Sequence, residues 1–370
     1  MRASRKLLAI GATIVALLVL NQIFEYGFGD FRINPYYARI VNLIGINISL
    51  AVSLNLINGL AGQFSIGHAG FMAVGGYSAT YLTVYHGQSI AGLVGGTVES
   101  GVGAAVVMMA SLTVGAIAAG VAGLLVGIPS LRLKGDYLAI VTLGFGEIIR
   151  VIILNIPAVG GATGFTDAIP ITNFFWIFSM AILTVVVVRN IATSTFGRAL
   201  AAIRSDEIAA EAVGVRTTWY KVLAFVVSAA LAGVAGGLWG QLFANPLNPQ
   251  NLNFVKSIEI IVMVVLGGIG SITGAVLGAT TLTILPEALR TFDQQFPGLR
   301  MVLYALLLIL LMVFRPQGLL GRTEFGWHWL RRPSRTRIPV ALTDSADARE
   351  HTPGRPVDRR STLGKRDGDE

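Results

Sequence analysis

The chain has 370 residues, of which 54% are hydrophobic and 13% charged, with a net charge of +8 and a mean hydropathy of +0.68. Soluble domains carry about 25% charged residues, so a water-soluble globular fold is excluded. The absence of cysteine likewise excludes disulfides, thiol catalysis and cysteine-bound metal.

Runs without Asp, Glu, Lys or Arg decide the class: Ile40–Val98, Ser100–Leu131, Ala168–Val188, Val222–Val255 and Ile260–Pro286. One helical span takes about 20 apolar residues, so several of these runs hold one span and the first holds two. The expectation is an all-α, polytopic integral membrane bundle with Gly-rich broken helices, about eight full spans plus a membrane hairpin. Its 44 glycines fit that expectation, because helices in lipid associate through close backbone approach at small residues. Gly115–Gly127 is the densest such stretch.

From the N-terminus, Arg2, Arg5 and Lys6 precede the apolar run Leu7–Leu20 with no small-residue cleavage site after it. This reads as an uncleaved first span with its N-terminus inside; residues 1–35 form that span and an external loop. Further spans are expected near 37–58, 66–84, 104–128, 137–156, 173–190, 221–243 and 300–315. Loops at 85–99 and 157–172 carry no Lys or Arg, whereas Arg132, Lys134, Arg189, Arg198, Arg204, Arg216 and Lys221 fall between the other spans. The positive-inside rule puts the second group in the cytoplasm. The net charge is therefore topological, with no nucleic-acid partner implied.

The segment Ser53–Thr80 is Gly-rich and brings Gly62, Gln63, Ser65 and His68 close to membrane depth. Irregular polar backbone there is tolerated only when buried in protein or facing water. Two readings stand: a break lining the pathway, or a tight cytoplasmic turn whose polar groups cap helix ends. Within 137–156, Glu147 and Arg150 lie three apart on one helix face. Charge is costly at that depth, so they are expected to pair, either to fix packing or to touch the solute; Glu147 could also carry protons. The loop 159–167 is short and flexible, suited to a docking protein or a plain connection.

Between Thr195 and Lys221 comes the one sizeable polar interruption. It reads as a short helix near 205–214, with Ser205 as N-cap, Asp206 and Glu207 in the first turn and Gly214 ending it. So short a helix is marginal alone and calls for a partner. Next, 258–285 is broken at Gly267-Gly268-Ile269-Gly270-Ser271, and two half-helices meeting there account for its length. Leu266–Thr280 weakly echoes the first Gly-rich break, which suggests a duplication. Arg300 and Arg315 would snorkel at the ends of the last span, and Trp327 and Trp329 read as interfacial. The remainder, 323–370, has the composition of a disordered cytoplasmic tail. No P-loop, H-E-x-x-H or G-x-S-x-G occurs, and four scattered His make no metal site.

Taken together, L-N-L-I-N-G-L-A-G-Q-F-S-I-G-H-A-G-F-M-A-V-G-G-Y at 54–77, L-K-G-D-Y-L-A-I-V-T-L-G-F-G-E-I-I-R at 133–150, G-R-A-L-A-A-I-R-S-D-E-I-A-A-E-A-V-G-V at 197–215, V-L-G-G-I-G-S-I-T-G-A at 265–275 and F-R-P-Q-G-L-L-G at 314–321 resemble the M-type permease subunits of branched-chain amino-acid ABC importers. The resemblance covers roughly 36–322 and implies a permease domain there. It implies a transporter subunit that is no enzyme and binds no cofactor, ATP being bound by two separate ATPase subunits. A paralogous permease and an extracytoplasmic solute-binding protein complete the implied assembly in the lipid bilayer of a bacterial plasma membrane, with both termini cytoplasmic. The implied solute is leucine, isoleucine or valine.

Arg198, Arg204, Asp206, Glu207, Ala209, Ala210, Glu211 and Gly214 match the family's coupling element. Gly62, Gln63, Ser65, His68, Glu147, Arg150, Gly268, Gly270 and Ser271 are the pathway candidates. Two features depart from the family: Thr163 stands where Asn is frequent, and the Arg-rich tail lies outside the family core. A urea or short-amide permease of the same wider family is the alternative, followed by an ion-coupled secondary transporter built around Glu147. A passive channel would have no use for a docking helix.

Overall fold

The computed structural model describes residues 2–26, 34–98, 101–131, 133, 135–242, 247–290, 299–314, 317–321 and 324. All of them lie in one compact unit, Met1–Glu324. Apart from Glu324, the expected tail lies outside the described residues, as do Trp327, Trp329, Arg132, Lys134 and Arg315.

The described chain is helical, with no strand and a single isolated bridge between Phe165 and Leu247. In order come α1 (Arg2–Tyr26), α2 (Pro35–Asn55), α3 (His68–Gly92), α4 (Gly101–Ser130), α5 (Asp136–Leu154), α6 (Phe174–Thr193), α7 (Thr195–Ser205), α8 (Glu207–Ala212), α9 (Thr217–Gly240), α10 (Phe254–Gly267), α11 (Ile272–Ala288) and α12 (Leu299–Phe314). The helix starts follow their sequence signals. Asn34 caps α2 ahead of Pro35, Asn173 caps α6, and Asn253 accepts from two backbone N–H groups at the start of α10.

Among the described residues, five helices are long and apolar enough to cross a membrane: Pro35–Leu60, Gly101–Ser130, Asp136–Leu154, Phe174–Thr193 and Thr217–Gly240. The expected count of about eight full spans is not reached by length and composition. Gly11–Phe24 and Ile272–Ala288 are apolar but shorter, and α12 has 16 residues. α3 has the length, 25 residues, but its Gly, Ser, Thr, Tyr and His content dilutes its apolarity.

At the centre α3, α4 and α9 approach closely through glycine, beside the edge-to-face pair Phe71–Phe225. A Cβ on Gly75 would stand 2.1 Å from the Cα of Gly233, and one on Gly236 would stand 2.0 Å from the Met72 carbonyl oxygen. Such backbone contact maximises dispersion where lipid supplies no hydrophobic drive. α2 lies against this trio, its Leu50, Ala51, Val52 and Leu54 fully buried. α10 and α11 cover the other side of α2 as the expected pair of half-helices, joined at 268–271. α1 docks on α6, where the Phe175 N–H donates to Asn21 Oδ1 at 3.0 Å and Phe24 stacks on Phe174.

Candidate functional site

The polar interruption holds two helices rather than one. Ser205 is not the N-cap; it ends α7, its hydroxyl donating back to the Ala201 carbonyl at 3.0 Å. Asp206 takes the cap instead, its carboxylate accepting from the N–H groups of Ile208 and Ala209 at 2.9 and 3.0 Å. A carboxylate both accepts two donors and suits the positive end of the helix dipole. Gly214 ends the element with φ +88°, a conformation only glycine adopts cheaply.

Both glutamates of α8 turn back onto α9. Glu207 pairs with Lys221 Nζ at 2.7 Å, and that lysine is only 3% exposed; the Thr217 hydroxyl donates to Glu211 Oε1 at 2.6 Å. These bonds staple the helix to α9, with Glu207 half-buried and Glu211 still exposed. Ala210 is buried too, which removes it from the expected docking face. Among the exposed residues of α8 and its C-cap, Ile208 is 75% and Val213 79% exposed, and Trp219 on α9 is 58% exposed. A groove of about 640 Å³ runs between Glu211, Gly214, Arg216, Thr217 and Trp219. Arg198 and Ala209 are exposed.

Arg204 is exposed as well. Its guanidinium reaches inward and donates to the Gly59 carbonyl, at the end of the π-helical turn Leu56–Leu60 that extends α2. Here the two Gly-rich breaks meet. Asn55 Oδ1 accepts from the Gly270 N–H at 2.8 Å, and its Nδ2 donates to the Ser271 carbonyl at 3.0 Å. Gly62 and Gly270 both lie against the Arg204 side chain. Ser271 is a buried N-cap of α11, accepting from Gly274 N–H at 3.0 Å. Glu324 adds a carboxylate to the same helix start, accepting from Ile272 N–H at 2.6 Å. The Leu319 and Leu320 N–H groups donate to the Leu266 and Gly267 carbonyls, so 317–321 lies over Gly268.

The remaining candidates separate into two groups. Ser65 and His68 are fully buried. His68 bonds Ser53 Oγ at 2.8 Å, and the Ser65 N–H donates to Asn58 Oδ1 at 3.1 Å. Both sit in the turn between α2 and α3, and neither side chain caps a helix end: the cap of α3 is Gly67, which makes no side-chain bond. Gln63 is half-buried in the same turn. Glu147 and Arg150 stand apart from the joint, paired through Nε–Oε2 at 2.7 Å and about a third and a quarter exposed. Glu147 Oε1 also accepts from Phe254 N–H at 3.0 Å, so this carboxylate caps α10.

Asn55, Lys221 and Glu324 were missed by sequence reasoning. Asn55 had a signal, a polar residue in an otherwise apolar helix; the other two act on partners that sequence distance hides. Ile208 and Val213 were passed over because outward apolar residues invert the usual amphipathic reading.

Residues 36–312 match the profile of a family described as "Branched-chain amino acid transport system / permease component". The chain is 33% identical over 348 residues to the high-affinity branched-chain amino acid transport system permease protein LivM of Escherichia coli, covering 84% of this chain and 75% of that one. It is 40% identical over 131 residues to LivH of Escherichia coli, covering 35% of this chain and 41% of that one. Similarity to BraD of Pseudomonas aeruginosa is 38% over 135 residues, covering 36% of this chain and 42% of that one.

Proposed function

The chain belongs to the family of permease components of branched-chain amino acid transport systems, and from that membership we propose that it forms part of the membrane path of an ATP-driven importer. It works beside a paralogous permease, above two ATPase subunits and beneath an external solute-binding protein. It lies in a bacterial plasma membrane with both termini on the ATPase side. The solute is a branched-chain amino acid.

One observation carries the reading: the stapled, capped α8 holds Ile208 and Val213 out, 75% and 79% exposed, on the one sizeable polar interruption between apolar helices. An apolar patch held rigid outside the membrane is an interaction surface. Such a helix loses little entropy on docking, because the Glu207–Lys221 and Glu211–Thr217 contacts already fix it.

Purification from the native membrane in mild detergent tests the assembly. The expected result is two ABC ATPase subunits and a second permease in the same peak. Reconstituted with the binding protein, the complex should take up leucine only with ATP. Recovery of the chain alone, with leucine uptake driven by an ion gradient, would overturn the reading in favour of a secondary transporter.

In this reading Arg204 links the docked helix to the joint of the two breaks. Its guanidinium bonds Gly59 from a position just ahead of α8 in the chain. In Arg204→Met the apolar face of α8 is untouched, so the ATPases should still copurify. Leucine moved per ATP hydrolysed should fall at least tenfold. Unchanged stoichiometry would remove Arg204 from the coupling route.

A further inference from the structure

The face shared by α5 and α10 carries charge where a membrane helix has least use for it. α5 has 19 residues, about 28 Å at 1.5 Å per residue against a hydrocarbon core of about 30 Å. Glu147 is followed by seven more helical residues, 148–154, which places it about 10 Å inside that end. The Glu147–Phe254 bond sets the start of α10 at the same level. The second ion pair, Lys256–Glu259 at 3.0 Å, then follows along α10, within its first two turns. Exposure is 26% for Arg150, 33% for Glu147, 18% for Lys256 and 38% for Glu259.

Partly exposed ion pairs facing hydrocarbon are costly, and charges at this depth face a protein interior or water. The outer face of α4 shows the contrast, with exposed Met109, Ile117, Val121 and Leu125 and no charge. Each pair on α5 and α10 is also one-armed. Among the described residues, Arg150 uses only Nε, leaving its two-nitrogen edge to a further acceptor. Gly144, one turn before Glu147, has no atom within 4 Å of where a Cβ would stand, so the space beside the pair is open.

We propose that this face is a binding station for the zwitterionic head group of an aliphatic amino acid in transit. The α-carboxylate takes the free edge of Arg150 and the ammonium takes the carboxylate of Glu147. The Lys256–Glu259 pair repeats the arrangement further along α10. A salt bridge suits a zwitterion because each of its charges meets an opposite one without leaving a buried charge unpaired. The exposed aliphatic groups of Val151, Val255 and Ile258 receive the side chain. This inference rests on the amino-acid permease reading and extends it to a location and a chemistry.

The cysteine-free chain allows a direct test in the full complex reconstituted in vesicles. Single cysteines at Val151 and Ile258 are expected to react with a membrane-impermeant thiosulfonate at least tenfold faster than cysteines at Ile117 and Leu125 on α4. Leucine added with the binding protein should slow the first pair severalfold and leave the second pair unchanged. Arg150→Met should raise the KM for leucine at least tenfold, and Arg150→Lys should recover part of that loss.

Reaction at Val151 and Ile258 no faster than on α4, in a complex that takes up leucine normally, overturns the station and makes this face a seam with the second permease. A wild-type complex that takes up no branched-chain amino acid overturns the permease reading itself.

Discussion

Aspartate in place of Ile208 and Val213 together is expected to release the ATPase subunits from the purified complex and to bring leucine uptake to background. Burying one aliphatic side chain is worth about 1.5–3 kcal/mol, and each aspartate must in addition be desolvated at the interface. The combined loss corresponds to a hundredfold or greater drop in affinity, taking about 1.4 kcal/mol per tenfold. Both side chains are more than 70% exposed in the chain by itself, so the permease should fold and insert normally. The Asp206 cap, the Glu207–Lys221 pair and the Glu211–Thr217 bond all remain, so α8 persists. Copurification of ATPase at the wild-type level would place the docking face elsewhere. Glu207→Lys would be a poor substitute, because it strands the buried Lys221, a loss of about 3–5 kcal/mol in the permease's own stability.

The second large effect belongs to the packing core. Gly75→Ala should lower the melting midpoint of the detergent-solubilised protein by about 10 °C or more, a loss of several kcal/mol at a few degrees per kcal/mol. The new methyl would stand 2.1 Å from Gly233 Cα and 2.4 Å from its carbonyl oxygen, and neither backbone atom can turn aside. α3 and α9 must separate, and the close contacts along their length weaken together. Gly11→Ala in α1 is the control. Nothing lies within 4 Å of its Cβ position, and alanine in a helix interior should add about 0.5–1 kcal/mol. Equal midpoints for the two variants would mean that the glycine seam carries no special weight.

How much of this was legible in advance depended on how local the cause was. The half-helices around 268–271 were readable because glycine clustering in a short apolar run acts over a few residues. The ending of α8 at Gly214 was readable for the same reason. The N-cap was displaced by one residue, from Ser205 to Asp206, since both types cap well and only the extended backbone at Asp206 separates them. Glu147 and Arg150 were correctly paired from their spacing, yet the bond from Glu147 to Phe254 joins residues 107 apart and no periodicity announces it.

The sequence by itself determined that this is a helical membrane protein and where most of its helices run and break. Those properties follow from apolar run length, glycine and cap residues acting within a turn or two of themselves. Only the tertiary structure decided which way the functional side chains face. Ala210 turned in while Ile208 and Val213 turned out, and Glu207 found Lys221. Arg204 reached Gly59 across 145 residues, and Asn55 joined the two breaks across 215 and 216. A charged or amide side chain goes to whichever buried partner leaves the fewest polar groups unsatisfied, and that partner exists only once distant helices have packed.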